Sequence, residues 1–242
     1  MRLWYDFHLH SCLSPCGDGD MTPYNIVNMA KLSGYDVIAL TDHNTTGNCR
    51  SAVEASREAE LIVLPGMELC TSEEIHVVFL FPGLERAEAF GAYIKTTLPP
   101  IKNKPKLFGE QLYMDARDQV LGSEELLLVT ASSVSIEEVR SLAKEYGGFC
   151  FPAHVDRSSF SILSSLGAVP PELGFCCAEI SLGADAEALR EQHPILRTMR
   201  ILRSSDSHYL EDMPDPRWSI RPESAEPEDV IAFLVRDFLN MK

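Results

Sequence analysis

The chain has 242 residues, 45% of them hydrophobic and 24% charged, a composition that supports a sizeable globular core. Its 21 Lys and Arg against 36 Asp and Glu give a formal net charge of −15, which argues against a general basic surface for long nucleic acid, because phosphate neutralisation drives that binding. No apolar run approaches the roughly 18 residues of a membrane span, the start lacks the apolar stretch of a signal peptide, and seven scattered cysteines read as reduced thiols in a cytoplasm.

Apolar runs ending in polar residues alternate with helical patterns. A first strand is expected at 3–9, then a helix at 22–33 with Thr22 as N-cap, Pro23 at N1 and Gly34 at its end. A strand at 36–41, a helix near 48–59 and strands at 61–67 and 75–81 follow, then a helix near 85–97. Pro99, Pro100 and Pro105 break the pattern, and 111–121 reads as two short strands around a turn, a hairpin insertion within about 103–130. Later strands fall at 148–152, 176–181 and 200–204. Helices are expected near 135–146, 184–191 and 226–239, the first with a Ser135/Glu138 capping box. Strands alternating with helices argue for parallel βαβ units, and seven strands over this length suit a (β/α) barrel better than an open sheet.

His8 and His10 are two apart on the first strand, so strict alternation puts them on one side with Trp4 and Asp6, and Leu3, Tyr5, Phe7 and Leu9 on the other, against helices. Imidazoles at the C-terminal end of a barrel strand sit where barrel active sites are built. The device recurs: Asp42 and His43 follow the second strand, Glu68 the third and His154 a later one, and Asp206 and His208 follow the last. His76 opens a strand, and a turn near Ser72 would return it toward Glu68. His193, at a helix end, is assigned to the surface. Imidazole with carboxylate is the ligand set of Zn, Fe or Mn, and so many ligands exceed one tetrahedral shell, so two to three divalent ions are expected.

These residues resemble the PHP (polymerase and histidinol phosphatase) family of metal-dependent phosphoesterases, through Asp6-Phe-His-Leu-His-Ser, Thr41-Asp-His-Asn-Thr-Thr, Pro65-Gly-Met-Glu and Ser205-Asp-Ser-His. The resemblance implies a distorted (β/α)7 TIM-like barrel, with 1–242 as one PHP-like domain carrying the small β-hairpin insertion. It implies a trinuclear site: His8, His10, Glu68 and Asp206 on the first metal, Glu68 bridging to a second with His76 and His154, and His43, His208 and Asp18 on the third. Asp18-Gly-Asp-Met-Thr-Pro matches the family string there, though the longer loop leaves Asp20 and Cys16 as rivals. Asp6 and Asp42 would orient histidine ring nitrogens. Arg157 could reach a substrate phosphate, or form a surface salt bridge. The lysines at 95, 102, 104 and 106 read as a solvated face.

Three ions (+6) with Asp18, Glu68 and Asp206 (−3) would leave the pocket about +3 inside an acidic molecule. A bound water whose pKa falls from 15.7 toward about 7 would supply a metal-activated hydroxide, with Asp206 one candidate for leaving-group protonation. The expected function is a phosphoesterase for a small phosphomonoester, nucleotide or short oligonucleotide end, with no long nucleic-acid track and no membrane partner. Alternatives are an amidohydrolase-type metal hydrolase, against which stands the lack of a Lys at the end of an expected strand, and a non-catalytic metal-binding regulatory module.

Overall fold

A computed structural model describes residues 1–236, and the last part of the helix expected at 226–239 lies outside the described residues. Strands β1 (Leu3–Leu9), β2 (Val37–Leu40) and β3 (Ile62–Cys70) run parallel, and β4 (His76–Leu80) returns antiparallel to β3. After a small antiparallel pair, β5 (Leu112–Met114) and β6 (Val120–Ser123), strand β7 (Phe149–Pro152) joins the free edge of β4. The parallel pair β8 (Cys177–Ile180) and β9 (Arg200–Arg203) fills the gap back to β1. Val155 N–H donates to the Glu179 carbonyl on one side, and Asp206 and His10 N–H donate to the His8 and Ser207 carbonyls on the other. The result is a distorted TIM-like barrel in which one strand is reversed. A short β10 (Ser219–Ile220) extends β1 on its outer edge.

The barrel interior holds Tyr5, Phe7, Val37, Ala39, Leu64, Val78, Leu80, Phe151 and Leu202, all buried. Helices α1 (Pro23–Ser33) and α2 (Cys49–Ala59) cover Leu9, Ile38, Leu40 and Val63 from outside. α3 (Leu84–Thr97) packs Phe90 on Phe79, ring centroids 4.5 Å apart. Beyond the insertion's single turn α4 (Pro105–Phe108) come α5 (Val139–Glu145), α6 (Ile162–Leu166), α7 (Ala186–Gln192) and α8 (Pro227–Val235). Val230, Phe233 and Leu234 of α8 join the interior cluster, closing the N-terminal end of the barrel.

α1 matches its sequence signals: Thr22 accepts from Asn25 N–H, and Gly34 ends the helix at φ 93°, a left-handed conformation that glycine adopts without a Cβ penalty. The strict alternation expected along β1 is overturned. A register shift between Asp6 and Leu9 inserts an extra residue, so Leu3, Tyr5 and Phe7 face the barrel interior while Leu9 lies with the helix-side cluster. Such a bulge bends the strand and re-aims side chains. It turns His8 and His10 toward the rim of the barrel.

The capping box expected at Ser135 is only half formed. The Glu138 carboxylate accepts from both the N–H and the hydroxyl of Ser135, at 2.8 Å each. No side chain caps the following N–H groups, and the regular helix begins at Val139.

Candidate metal centre

Glu68, 1% exposed, lies at the centre of the rim. Gly66 positions it, because a Cβ there would press on the Phe79 carbonyl at 2.6 Å and the Thr41 methyl at 2.8 Å. The β3–β4 turn returns His76 opposite Cys70, so its Nδ1 comes 2.8 Å from Glu68 Oε1. His8 Nε2 and His154 Nε2 approach the same oxygen at 3.1 and 3.0 Å. His43 Nδ1 and His10 Nε2 approach Oε2 at 2.8 and 3.4 Å. Asp206 Oδ1 lies 3.0 Å from His10 Nε2 and 3.3 Å from His8 Nε2. His208 stacks on His10 with centroids 4.2 Å apart.

The structure therefore brings together His8, His10, His43, Glu68, His76, His154, Asp206 and His208. Three groupings have ligand atoms mutually within 4.8 Å: His8–His10–Glu68–Asp206, His43–Glu68–His76 and His10–His43–His208. Asp18 joins none of them among the described residues; its Oδ1 accepts from Asp20 N–H at 2.9 Å. The Cys16 sulfur lies beside the rings of His208 and His43, although it too joins none of the groupings. His193 lies apart, at the C-terminal cap of α7.

The cluster leaves polar atoms that bound cations could satisfy. Buried His43 Nδ1, Glu68 Oε2, His154 Nδ1 and Asp206 Oδ1 have no aligned hydrogen-bond partner, although His43 Nδ1 lies 2.8 Å from Glu68 Oε2, and His10 Nε2 lies 3.4 and 3.0 Å from Glu68 Oε2 and Asp206 Oδ1. Orphaned buried polar atoms need a partner, and mixed imidazole and carboxylate donors suit Zn, Fe or Mn. Burial pushes Glu68 up, but His76, His8 and His43 outweigh it and hold the carboxyl well below its usual range. Burial likewise pushes His8 down, but Glu179, Asp206 and Glu68 raise it well above the ordinary imidazole value. His10 is driven well below by burial and by His208 and His43. Burial raises the Cys16 thiol, yet hydrogen bonds to His208 and His43 bring it down to about 6.

The orienting groups differ from those expected. Asp6 accepts from the backbone N–H groups of His8 and Ser205, not from an imidazole. Asp42 acts through a hydroxyl: Ser14 Oγ donates to Asp42 at 2.7 Å and lies 3.0 Å from His10 Nδ1. The carboxylate that directly faces a ring is Glu179, 1% exposed, 3.0 Å from His8 Nδ1 and accepting from His154 N–H at 3.1 Å. Sequence reasoning missed it, although an acid inside the apolar run of β8 was a signal. His154 and Asp206 hold left-handed backbone, at φ 27° and 53°, a cost of about 1–3 kcal/mol each that surrounding contacts must offset.

A cavity of about 220 Å³ opens over these residues, with Arg157 and Phe160 at its mouth. Arg157 Nη1 donates to Asp206 Oδ2 at 2.5 Å, and Phe160 stacks on His76 with centroids 4.8 Å apart. Lys95 and Lys102, by contrast, pair with Glu124 and Glu125 of the insertion.

Fold and site together define a TIM-like barrel with a cluster of candidate metal ligands at its rim. Residues 6–98 match the family described as PHP domain. Within the curated proteins it is similar to a 5'-3' exoribonuclease of Haemophilus influenzae, 37% identical over 79 residues, covering 31% of this chain and 28% of that protein. It is also similar to a 3',5'-nucleoside bisphosphate phosphatase of Chromobacterium violaceum, 34% identical over 95 residues, covering 38% and 32%. The matches thus span about a third or less of those relatives' length. Among solved structures, a lesion-specific endonuclease from Pyrococcus furiosus superposes with a TM-score of 0.68 at 16% identity, over 97% of this chain and 56% of that one. A Bifidobacterium adolescentis protein gives 0.57 at 20% identity, over 98% of both chains. At these identities the superpositions establish the fold. No helix among the described residues is long and apolar enough to cross a membrane.

Proposed function

We propose that the chain is a metal-dependent phosphoesterase that hydrolyses a small phosphomonoester, a nucleotide or the end of a short oligonucleotide. The observation that carries this reading is the convergence of five imidazoles on the two oxygens of Glu68, an arrangement suited to bound cations. His8, His10, Glu68 and Asp206 would hold one ion, Glu68 with His76 and His154 a second, and His43 with His208 a third. Bound there, such ions would lower the pKa of a water toward about 7 and draw charge from phosphate oxygens.

The chain's own residues set what enters. A cavity of about 220 Å³ is smaller than pockets that enclose whole drug-sized ligands, roughly 300–1,000 Å³, and so suits a phosphate with part of its sugar. Arg157, 45% exposed on its side chain, can leave Asp206 to take a phosphate oxygen, and the exposed face of Phe160 gives the sugar or base a shelf. Burial raises Asp206, but the His8 and His10 rings hold it well below the carboxylate range. An ionised Asp206 has no proton to give the leaving group, so its role is to bind.

Elemental analysis of purified protein should find more than one transition ion per chain, and loaded protein should turn over at least one of a panel of nucleoside monophosphates, nucleoside bisphosphates, histidinol phosphate and short oligonucleotides. Replacing Arg157 with Ala should lower kcat/KM roughly 10- to 150-fold, the worth of a hydrogen bond to a charged group, with ion content unchanged. Trace metal with no uptake on reconstitution would sink the metal-centre reading. Metal uptake with no turnover would favour a binding module.

A further inference from the structure

We propose that Cys16 is the sulfur ligand of the third ion, beside His43 and His208, and that it restricts this position to thiophilic divalent cations such as Zn²⁺ or Co²⁺. The inference rests on the metal-centre reading above. It differs from the ligand set implied by the resemblance, where an acidic residue closes the third position.

The loop between β1 and α1 determines which side chain reaches the rings. Ser14 N–H donates to the Ser11 carbonyl at 3.0 Å and Gly17 N–H to the Ser14 carbonyl at 2.9 Å, two successive tight turns. Gly17 is required there, since a Cβ would collide with the Ser11 carbonyl oxygen. These turns carry the Cys16 sulfur onto the rings of His43 and His208. Asp18 is held differently: its N–H donates to the His208 carbonyl and its Oδ1 accepts from Asp20 N–H, both at 2.9 Å. Its carboxylate thus closes a turn within the loop.

The neighbouring donors point to a cation independently of the cysteine. His10, His43 and His208 present nitrogens within 4.8 Å of one another. His43 is 7% exposed, and its Nδ1 has no aligned hydrogen-bond partner. His208 Nδ1 lies 2.9 Å from the Asp206 carbonyl, leaving Nε2 for the cluster. Imidazoles with one thiolate form a soft donor set that favours Zn²⁺ and Co²⁺ over Mn²⁺ or Mg²⁺. Among the seven free cysteines, Cys16 alone is exposed, so a cation and a thiol reagent can both reach it.

The test uses the full chain stripped of metal and reloaded with Co²⁺, read by absorption. The native protein should show a near-ultraviolet thiolate-to-cobalt charge-transfer band. Cys16→Ser should lose that band and one equivalent of bound ion while keeping its far-ultraviolet dichroism. Asp18→Asn should keep both band and stoichiometry. Bound Zn²⁺ should also protect Cys16 from alkylation, as read by peptide mass analysis, whereas Mn²⁺ should not. Metal uptake without the band, a band that survives Cys16→Ser, or loss of the ion in Asp18→Asn alone would overturn the assignment of Cys16 and leave the metal centre standing. No uptake of any ion would overturn both.

Discussion

His8 has a carboxylate at each ring nitrogen: Glu179 at Nδ1, and Glu68 with Asp206 at Nε2. A proton on Nδ1 facing the Glu179 carboxylate would leave Nε2 to turn its lone pair toward a bound ion, the device by which outer carboxylates fix the tautomer of a ligating histidine. Glu179 also accepts from His154 N–H, so one side chain steadies both ends of the site across the seam between β7 and β8. Replacing Glu179 with Gln keeps the size and an acceptor oxygen but removes the charge. The expected outcome is a 10- to 100-fold loss of metal affinity, measured by competitive titration with a chromophoric chelator, with the thermal transition of the metal-free protein little changed. Equal affinity in the two proteins would mean that packing alone orients His8.

At the scale of elements, the insertion is held to the site by polar contacts more than by apolar ones. Asn48 Nδ2 donates to Ser11 Oγ and to the Leu112 carbonyl, and its Oδ1 accepts from Met114 N–H. Glu124 accepts from Lys95 Nζ at 2.6 Å and Tyr113 OH at 2.5 Å. Burial pushes Glu124 up, but the Lys95 and Tyr113 hydrogen bonds outweigh it and hold the carboxyl below its usual value. A depressed carboxylate stabilises the fold above its unfolded pKa, about 4.3, and loses that contribution as pH falls through the lower folded value. Because Lys95 is 56% exposed, solvent screening reduces the effect. Glu124→Gln should therefore cost about 1 kcal/mol at pH 7, with the difference from the native protein shrinking as pH falls below about 4.3 and vanishing only once Glu124 is protonated in the folded state. Denaturant midpoints across that range check it; a difference that persists in acid would assign the cost to packing.

The same scale shows what could be read from the sequence. The ends of α1 were legible because Thr22, Pro23 and Gly34 act locally, and the reversal at β4 because His76 and Glu68 are joined by a short turn. The β1 bulge was not, since it depends on the register with β2, which no local pattern encodes. Glu179 was missed for a related reason: its partner His8 is 171 residues away in sequence. The eight residues that converge were legible because barrel topology places strand ends together, whereas the loop side chain nearest His43 and His208 depends on turn geometry.

For the molecule as a whole, the pocket proposed to draw phosphate lies in a chain of net charge −15. α8 closes the far end of the barrel, so the proposed substrate would enter and leave by the rim. Long-range fields and local ions then act in opposite senses on a polyanion: bound cations attract its terminal phosphate, while the acidic surface repels the phosphates behind it. Salt screens the second effect more, because exposed charges interact over a Debye length of about 30 Å at 0.01 M and about 10 Å at 0.1 M, while ions within the site are screened much less. KM for a short oligonucleotide should therefore fall or hold steady as ionic strength rises over that range, and KM for a nucleoside monophosphate should change less. An enzyme with a basic track behaves oppositely, losing about 10³- to 10⁵-fold in affinity between 50 and 200 mM salt when it makes many phosphate contacts. Steady-state kinetics on an oligonucleotide length series at several salt concentrations measures the sign. A steep rise of KM with salt would reveal a local basic path across the acidic surface and overturn the preference for small substrates.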